Sequence, residues 1–454
     1  APGVRSEPKA GNAGVGGTAL AASTALAPGR GSHSAVLDWL VTSGAIVAIG
    51  FANATLLNRM LGPVGRGELA AAMLWPNILI TLAAMGMQQS IVFHGSADHA
   101  NLPRVWSISL PIGIGQSVLA IAIGYIAMPA LLGTQSPAVV GAARLYLLVL
   151  PGYLLNTFAL GLLQACQQFR TVNRIRLALP IGYVLGVIAF GAMGVLTLKA
   201  IVYLHIALHL VMLALSSVGL ARLGVVPSRP PSVMESAGVL RYGAKAYLGD
   251  LSGTVNLRLD QMLLAAWFPP IVLGLYIAAV NAASLGEILG SAYKSITLPR
   301  VAACVTKLEQ ATELCRTFTH FWWSSCLYFP ILALLLPFGM VSMFGSAFAP
   351  AIVPAEILLA GSWLLAARAV LTGGAQGMGD PVLTTIAELV ALPITLVFLY
   401  MFLPRYGIYA AALGSLIAYA VQLGVVFYRL NRLHSVSAFA LFGVHPPASG
   451  GLSG

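Results

Sequence analysis

Charged side chains are scarce in this sequence: only 8% of its 454 residues are Asp, Glu, Lys or Arg, and just 13 are acidic. Soluble chains carry about 25% charged residues on average. Hydrophobic residues make up 58% of the chain, and the mean hydropathy is +0.88. This combination excludes an ordinary soluble domain and predicts a chain that is embedded in lipid.

Motifs for metal, redox or nucleotide chemistry are also lacking. The four cysteines follow no CxxC or metal-ligand spacing, so neither a disulfide framework nor a zinc site is predicted. No Gly-rich phosphate loop with a following Lys-Ser/Thr pair occurs, which argues against built-in ATP hydrolysis. His205 and His209 lie four residues apart, but no Cys or carboxylate accompanies them, so a metal site is disfavoured there as well. We therefore expect no bound cofactor.

Long apolar runs dominate the rest of the chain. A bilayer core of about 30 Å requires roughly 20 apolar residues in a helix, and lipid cannot satisfy free backbone polar groups. Twelve segments fit this length, and we predict a transmembrane helix for each. They lie near residues 36–57, 69–93, 105–131, 139–163, 177–198, 200–221, 242–266, 271–298, 318–343, 353–376, 382–403 and 408–429.

The distribution of basic residues predicts the orientation. With the N-terminus inside the cell, sixteen of the 24 Lys and Arg residues fall in cytoplasmic segments, five in outer segments and three within spans. This excess follows the positive-inside rule and places both termini in the cytoplasm. The net charge of +11 thus reflects the membrane topology, and it also favours contact with anionic lipid. No nucleic-acid partner is expected.

An internal repeat relates the two halves of the sequence. "LGPVGRGELAAA" (61–72) aligns with "FPPIVLGLYIAA" (268–279), and residues 131–165 align with 343–377 at a similar offset. Each half holds six spans, an even number, so both halves enter the membrane from the same side and the repeat is parallel. We predict five regions: a disordered cytoplasmic tail (1–34), an N-terminal six-helix lobe (35–222), a cytoplasmic linker (223–241), a C-terminal six-helix lobe (242–432) and a second disordered tail (433–454).

Several of these stretches resemble a known superfamily. The run "NRMLGPVGRGELAAAMLWPNILITLAAMGMQQSIVF" (58–93) resembles the Arg-x-Leu-Gly-Pro-x-Gly turn and second helix of polysaccharide flippases. These flippases belong to the multidrug/oligosaccharidyl-lipid/polysaccharide exporter superfamily. Residues 257–302 are similar to its seventh and eighth helices, with the family's Asp at Asp260. The Gly-Arg-Gly-Glu at 65–68 departs from the commoner Gly-Tyr-Gly form. The resemblance implies an all-α fold and the transport of a lipid-linked sugar.

Three arginines are the candidate substrate-binding residues. Arg59 ends the first span, Arg258 lies in the outer half of the seventh and Arg368 lies within the tenth. A charge within the membrane costs about 2.5–3.5 kcal/mol on insertion scales, so such residues usually face a wet cavity. Guanidinium groups bind phosphate bidentately. We predict that the three line a cavity between the lobes; the alternative for Arg59 and Arg258 is that they reach the outer headgroups.

Two carboxylates are candidates for ion coupling. Asp260 lies in the outer half of the seventh predicted span and Glu287 near the middle of the eighth. In a medium of low dielectric such groups can bind and release H⁺ or Na⁺. A simple interhelical hydrogen bond is the equally weighted alternative.

The sequence thus predicts a multi-pass protein of the bacterial inner membrane, monomeric, that flips a lipid-linked oligosaccharide by alternating access. An ion-coupled drug or metabolite exporter of the same fold, or a flippase for a lipid-linked peptidoglycan precursor, are the alternatives. An enzyme is disfavoured because the outer connections are short and contain almost no carboxylates besides Glu68. Expected partners are the lipid-linked substrate, bilayer lipids and the glycosyltransferases or polymerase of the same pathway.

Overall fold

A computed structural model describes residues 32–97, 99–228 and 233–434, together with residues 436 and 441. The predicted disordered tails, 1–34 and 433–454, fall almost wholly outside these residues. The described chain folds into α-helices without any β-strand. The helices are α1 (Ser32–Ala84), α2 (Met87–Ala97), α3 (Leu102–Leu131), α4 (Pro137–Tyr146), α5 (Val149–Ala165), α6 (Phe169–Ala192), α7 (Leu198–Arg222), α8 (Val233–Asn256), α9 (Leu259–Trp267), α10 (Pro270–Ala283), α11 (Glu287–Ala302), α12 (Lys307–Gly339), α13 (Ile352–Gly377), α14 (Val382–Tyr406) and α15 (Ile408–His434).

Ten helical segments of the described chain are long and apolar enough to cross a membrane, which makes the protein a multi-pass membrane protein. Two features account for the difference from the twelve predicted spans. The first segment, Thr42–Ser96, is 55 residues long and covers most of the predicted span 36–57 and the whole of 69–93. The predicted span 242–266 is divided between α8 and α9.

The turn between the first two predicted spans lies where the sequence places it. Within α1, Gly62 has φ 65° and ψ −178°, and Pro63 follows it. A positive φ is easily adopted only by glycine, and proline cannot continue the hydrogen bonding of a preceding helix. Gly62 and Pro63 therefore divide α1 into two helices that meet at a kink.

Helix contacts group the chain into two bundles. Helices α1 to α7 pack mainly on one another, as do α9 to α15, and α1 on α10 forms the main contact between the groups. Helix α8 lies between them and packs on α2 and on α14. Helix α8 begins at Val233, inside the range 223–241 that was predicted as a linker. The chain thus changes from a connection to a helix about nine residues earlier than expected.

The two bundles meet closely at both ends of their interface. At the end that we call the Gly67 seam, the Gln135 side-chain amide donates to the carbonyl oxygens of Ala265 and Phe268, at 2.9 Å each. Backbone also meets backbone there, because Gly67 packs on Gly274.

The opposite end, which we call the Gly86 seam, joins α2 and the start of α3 to α8. Gly86 packs on the backbone of Gly243, and the Ser90 hydroxyl donates to the Val239 carbonyl at 2.7 Å. Arg104 forms an ion pair with Glu235 at 2.6 Å. The interface is therefore closed at both ends.

Candidate functional site

The principal cavity of the described residues lies inside the N-terminal bundle. Its volume is about 820 Å³, within the range of roughly 300–1,000 Å³ that is usual for small-molecule sites. It is lined by residues of α1, α2 and α4 to α7. Its polar lining residues are Asn53, Arg66, Asn77, Gln88, Tyr146, Tyr153, Asn156, Thr157, Gln164, Arg176, Tyr183, His205 and His209.

Helical periodicity explains how these side chains reach one space. On α7, the lining residues are His205, Leu208, His209 and Met212, a spacing that repeats on one face of an α-helix. The second half of α1 presents Arg66, Leu69, Met73 and Asn77 with the same period. Each of these helices therefore turns one mixed polar and apolar face to the cavity.

The cavity contains two guanidinium groups and no carboxylate. Arg66 and Arg176 both line it, and no Asp or Glu is among its lining residues. The Arg66 side chain donates from Nε to Asn58 Oδ1 at 3.2 Å, and neither arginine forms an ion pair with a described acidic residue. The electrostatic character of the cavity is therefore positive, which suits an anionic ligand.

Five rings form one wall of the cavity, which we call the aromatic wall: Tyr146, Tyr153, Tyr183, His205 and His209. Tyr183 lies nearest to His205, with 4.2 Å between ring centroids, and Tyr146 lies 5.5 Å from His205. His209 continues the wall 6.4 Å from His205 with nearly parallel rings, and Tyr153 lies 5.5 Å from His209. The wall thus connects three helices, α5 to α7, with the end of α4.

Arg59 lies at the Gly67 seam. Its Nε donates to the Met343 carbonyl oxygen at 2.7 Å, and its terminal nitrogen donates to the Ser342 carbonyl oxygen. Both carbonyls belong to a π-helical segment, Met340–Phe344, that extends α12. Arg59 therefore links the two bundles through free carbonyls at a helix end. It does not line the cavity.

Arg258 and Asp260 lie at the break between α8 and α9. Arg258 is half-buried and close enough to Asp260 and Tyr146 for electrostatic interaction. Asp260 is 6% exposed and accepts hydrogen bonds from the Tyr276 hydroxyl, the Ser415 hydroxyl at 2.8 Å and the Gln261 amide at 2.6 Å. Asp260 thus makes interhelical hydrogen bonds, which were predicted from the sequence as the alternative to ion coupling. Arg258 belongs to the other bundle and lies near Tyr146 of the aromatic wall.

Arg368 lies within the C-terminal bundle, where it forms an ion pair with Glu388 at 3.1 Å. Tyr419 is within electrostatic range of Asp260, Glu287 and Arg368. The Glu287 side chain is exposed, and no described residue hydrogen-bonds to it. The three predicted arginines therefore lie in three different places, and none of them lines the cavity. Their contact with a substrate stays a prediction.

The residues that do line the cavity carried weaker signals in the sequence. Arg66 is one of the five basic residues that the sequence places in outer segments, because it follows the Gly62-Pro63 turn by only a few positions. His205 and His209 showed the four-residue spacing of a shared helix face, and Gln164 has Gln376 at the matching place in the repeat. The described residues hold no group of three or more His, Cys, Asp or Glu that would bind a metal ion.

Many membrane transporters are helical bundles built from two repeated halves, and this chain shares that architecture. The sequence model of a family described as "Polysaccharide biosynthesis protein" matches residues 56–352. The chain therefore belongs to this polysaccharide biosynthesis protein family. No curated protein matches the chain.

Solved structures show the same fold at low sequence identity. The chain is similar to the lipid II flippase MurJ in an inward closed conformation, with a TM-score of 0.73, 11% identity and coverage of 87% of each chain. It is also similar to an inward-facing multidrug resistance MATE family transporter of the MOP superfamily, with a TM-score of 0.71 and 15% identity over 89% of this chain and 96% of that one. The predicted all-α fold is confirmed.

Proposed function

We propose that this protein flips an isoprenoid pyrophosphate-linked oligosaccharide across the bacterial inner membrane by alternating access. The observation that carries the proposal is the cavity of about 820 Å³ whose charged lining residues are Arg66 and Arg176 alone. A pyrophosphate is an anion that the bilayer core excludes. Guanidinium groups in a polar cavity replace its hydration with charge-assisted hydrogen bonds, while the isoprenoid chain stays in the lipid.

The two arginines lie at different depths. Arg66 is within electrostatic range of Tyr183, whereas Arg176 lies seven residues before Tyr183 on α6, which corresponds to about 10 Å of helix. In the predicted orientation α6 begins on the cytoplasmic side, so Arg176 lies nearer the cytoplasm and Arg66 nearer the outside. We propose that the pyrophosphate binds first at Arg176 and leaves from Arg66.

Alternating access requires the two seams to open in turn. Both are closed in this structure, and in the proposed cycle the two bundles rock about their shared interface. Opening of the Gly86 seam, on the cytoplasmic side in the predicted orientation, admits the headgroup. Opening of the Gly67 seam releases it. No bond of the substrate is broken, so the proposed activity is transport and not catalysis.

The proposed driving force is a gradient of H⁺ or Na⁺ that acts through a carboxylate of the C-terminal bundle. Glu287 suits this role best, because its side chain is exposed and no described residue hydrogen-bonds to it. Asp260 is held by donors from α10 and α15, so its binding of an ion would require those bonds to be exchanged.

An exporter of cationic drugs with the same fold is a weaker candidate. A cation in this cavity would face two guanidinium groups without any carboxylate among the lining residues, and like charges in a cavity of low dielectric repel strongly. The charge of the cavity therefore favours a phosphorylated cargo.

Flipping of a fluorescent isoprenoid pyrophosphate-linked sugar in liposomes tests the proposal. We expect Arg66→Ala and Arg176→Ala each to reduce the initial rate by about 10- to 100-fold, the effect of losing a charge-assisted hydrogen bond. Arg432→Ala removes an exposed arginine of α15 and should leave the rate unchanged. Arg258→Ala and Arg368→Ala extend the comparison to the arginines outside the cavity. Equal rates for wild type, Arg66→Ala and Arg176→Ala would refute the assignment of the cavity.

A further inference from the structure

We infer that the aromatic wall binds the sugar rings of the substrate, with His205 and His209 as neutral hydrogen-bond acceptors for sugar hydroxyls. The inference rests on the proposed function and adds a second subsite to the phosphate-binding arginines. It assigns the two histidines to ligand recognition, although the sequence marked them only as a disfavoured metal pair.

Hydrogen bonds to backbone carbonyls set the protonation of both imidazoles. His205 Nδ1 lies 3.0 Å from the Ile201 carbonyl oxygen, and His209 Nδ1 lies 2.9 Å from the His205 carbonyl oxygen. A carbonyl oxygen only accepts, so each Nδ1 carries the proton. In the neutral ring Nε2 is then an acceptor, and it lies on the side of the ring away from that carbonyl. Both histidines line the cavity, so two neutral acceptors spaced one helical turn apart are available to a ligand.

The rings of the wall offer apolar faces beside these acceptors. His205 and His209 are nearly parallel, with 17° between their planes, and Tyr183 covers His205 at 4.2 Å. A pyranose presents C–H groups on its faces and hydroxyls around its edge. The C–H faces of the sugar can therefore stack on the aromatic rings of the wall, while its hydroxyls donate hydrogen bonds to the Nε2 atoms of His205 and His209.

Amide groups on other helices complete the polar environment. Asn53 on α1 and Asn156 on α5 line the same cavity. The Asn53 side-chain oxygen is buried without a hydrogen-bond partner, although buried polar atoms are usually satisfied. A sugar hydroxyl that donates to Asn53 Oδ1 would satisfy it.

The charges of the cavity exclude other ligands for such a wall. Aromatic rings also bind quaternary ammonium ions, but Arg66 lies within electrostatic range of Tyr183 in this wall and repels a cation. Hydroxyl-rich sugar is the neutral part of a substrate whose anionic part binds the neighbouring arginines.

The test compares two fluorescent lipids in liposomes: an isoprenoid pyrophosphate that carries an N-acetylhexosamine disaccharide, and the same lipid without sugar. The double variant His205→Phe/His209→Phe retains every ring of the wall and removes both Nε2 acceptors. We expect its rate with the disaccharide lipid to fall about tenfold, the effect of losing one or two hydrogen bonds, while the sugar-free lipid is flipped at the wild-type rate. His320→Phe, at an exposed position of α12, is the matched control.

A second variant keeps the test decisive if the double variant does not fold. Asn53→Val removes the amide whose oxygen has no hydrogen-bond partner. It should lower the flipping rate about tenfold with the disaccharide lipid and leave the rate with the sugar-free lipid unchanged. An equal loss with both lipids, or no loss with either, would overturn the sugar subsite and leave the proposed function standing. If the wild type flips neither lipid while the liposomes contain folded protein, the proposed function fails and this inference with it.

Discussion

Gly67 and Gly274 occupy matching positions in the two sequence repeats, and each packs against the backbone of the other. A Cβ atom on Gly67 would lie 1.7 Å from the Pro270 carbonyl oxygen and 2.9 Å from the Gly274 nitrogen. A Cβ on Gly274 would lie 1.9 Å from the Pro63 carbonyl oxygen and 2.9 Å from the Gly67 nitrogen. The contact is reciprocal, as expected when two repeated halves are related by an approximate twofold axis. The repeated Pro and Gly thus form the helix contact that joins the bundles.

Gly67→Ala should open the Gly67 seam. The new methyl group meets backbone atoms of α10, which cannot move without shifting the helix, and such overpacking costs about 1–3 kcal/mol. We expect a lower melting temperature in detergent and a changed flipping rate. Gly115→Ala is the control, since an added Cβ there has no atom within 4 Å and an alanine within a helix should gain about 0.5–1 kcal/mol. Equal stability of the two variants would show that the glycine contact does not hold the seam.

The turn and the repeat could be predicted because they depend on local chemistry. Gly62 and Pro63 break a helix wherever they occur together, and the repeat shows directly in the alignment of Gly67 with Gly274. The division of the seventh span shows no such local signal, because neither glycine nor proline lies between Asn256 and Leu259, where α8 ends and α9 begins.

The position of the cavity could not be predicted from the sequence, for a different reason. Hydropathy marks ionised residues in a span, but it does not say which way their side chains point or which residues they meet. Arg368 is conspicuous in the sequence, yet it pairs with Glu388. The polar lining of the cavity consists largely of Asn, Gln, Tyr and His, which carry no fixed charge and are spread over several spans. Their common helix face becomes informative only when the packing of α5 to α7 is known.

The buried pair of Arg368 and Glu388 should stabilise the C-terminal bundle. Their side chains are only 12% and 7% exposed, and removal of one partner from a buried pair costs about 3–5 kcal/mol because the other charge is left unpaired. We expect Arg368→Ala to lower the melting temperature strongly, and the double variant Arg368→Met/Glu388→Met to recover most of the loss.

An exposed ion pair provides the comparison for that variant. Arg300 and Glu313 are 3.7 Å apart and the Arg300 side chain is 61% exposed, so Arg300→Ala should cost less than about 1 kcal/mol. If Arg368→Ala keeps the wild-type melting temperature but loses flipping, the arginine acts on the substrate as the sequence predicted and not through Glu388.

A cross-link across the Gly86 seam should stop transport. The rings of Phe93 and Tyr242 stack with centroids 4.4 Å apart, so cysteines at both positions, in a protein without its four native cysteines, can be joined by a short methanethiosulfonate cross-linker. Because the proposed cycle opens this seam to admit the headgroup, we expect flipping to cease after cross-linking and to return after reduction. Phe93→Cys alone with the same reagent controls for modification. Undiminished flipping in fully cross-linked protein would contradict the rocking cycle.

Glu287→Gln should uncouple transport from the ion gradient. The substitution keeps the size of the side chain and removes the charge that would bind H⁺ or Na⁺. We expect the wild-type flipping rate to fall when an ionophore collapses the gradient. The variant rate should equal that lower value with or without the gradient. Glu356→Gln, at an exposed position of α13, should behave as wild type. Gradient-dependent flipping by Glu287→Gln at the wild-type rate would show that Glu287 does not couple transport to the gradient. Asp260 would then be the remaining candidate, and Asp260→Asn would test it in the same assay.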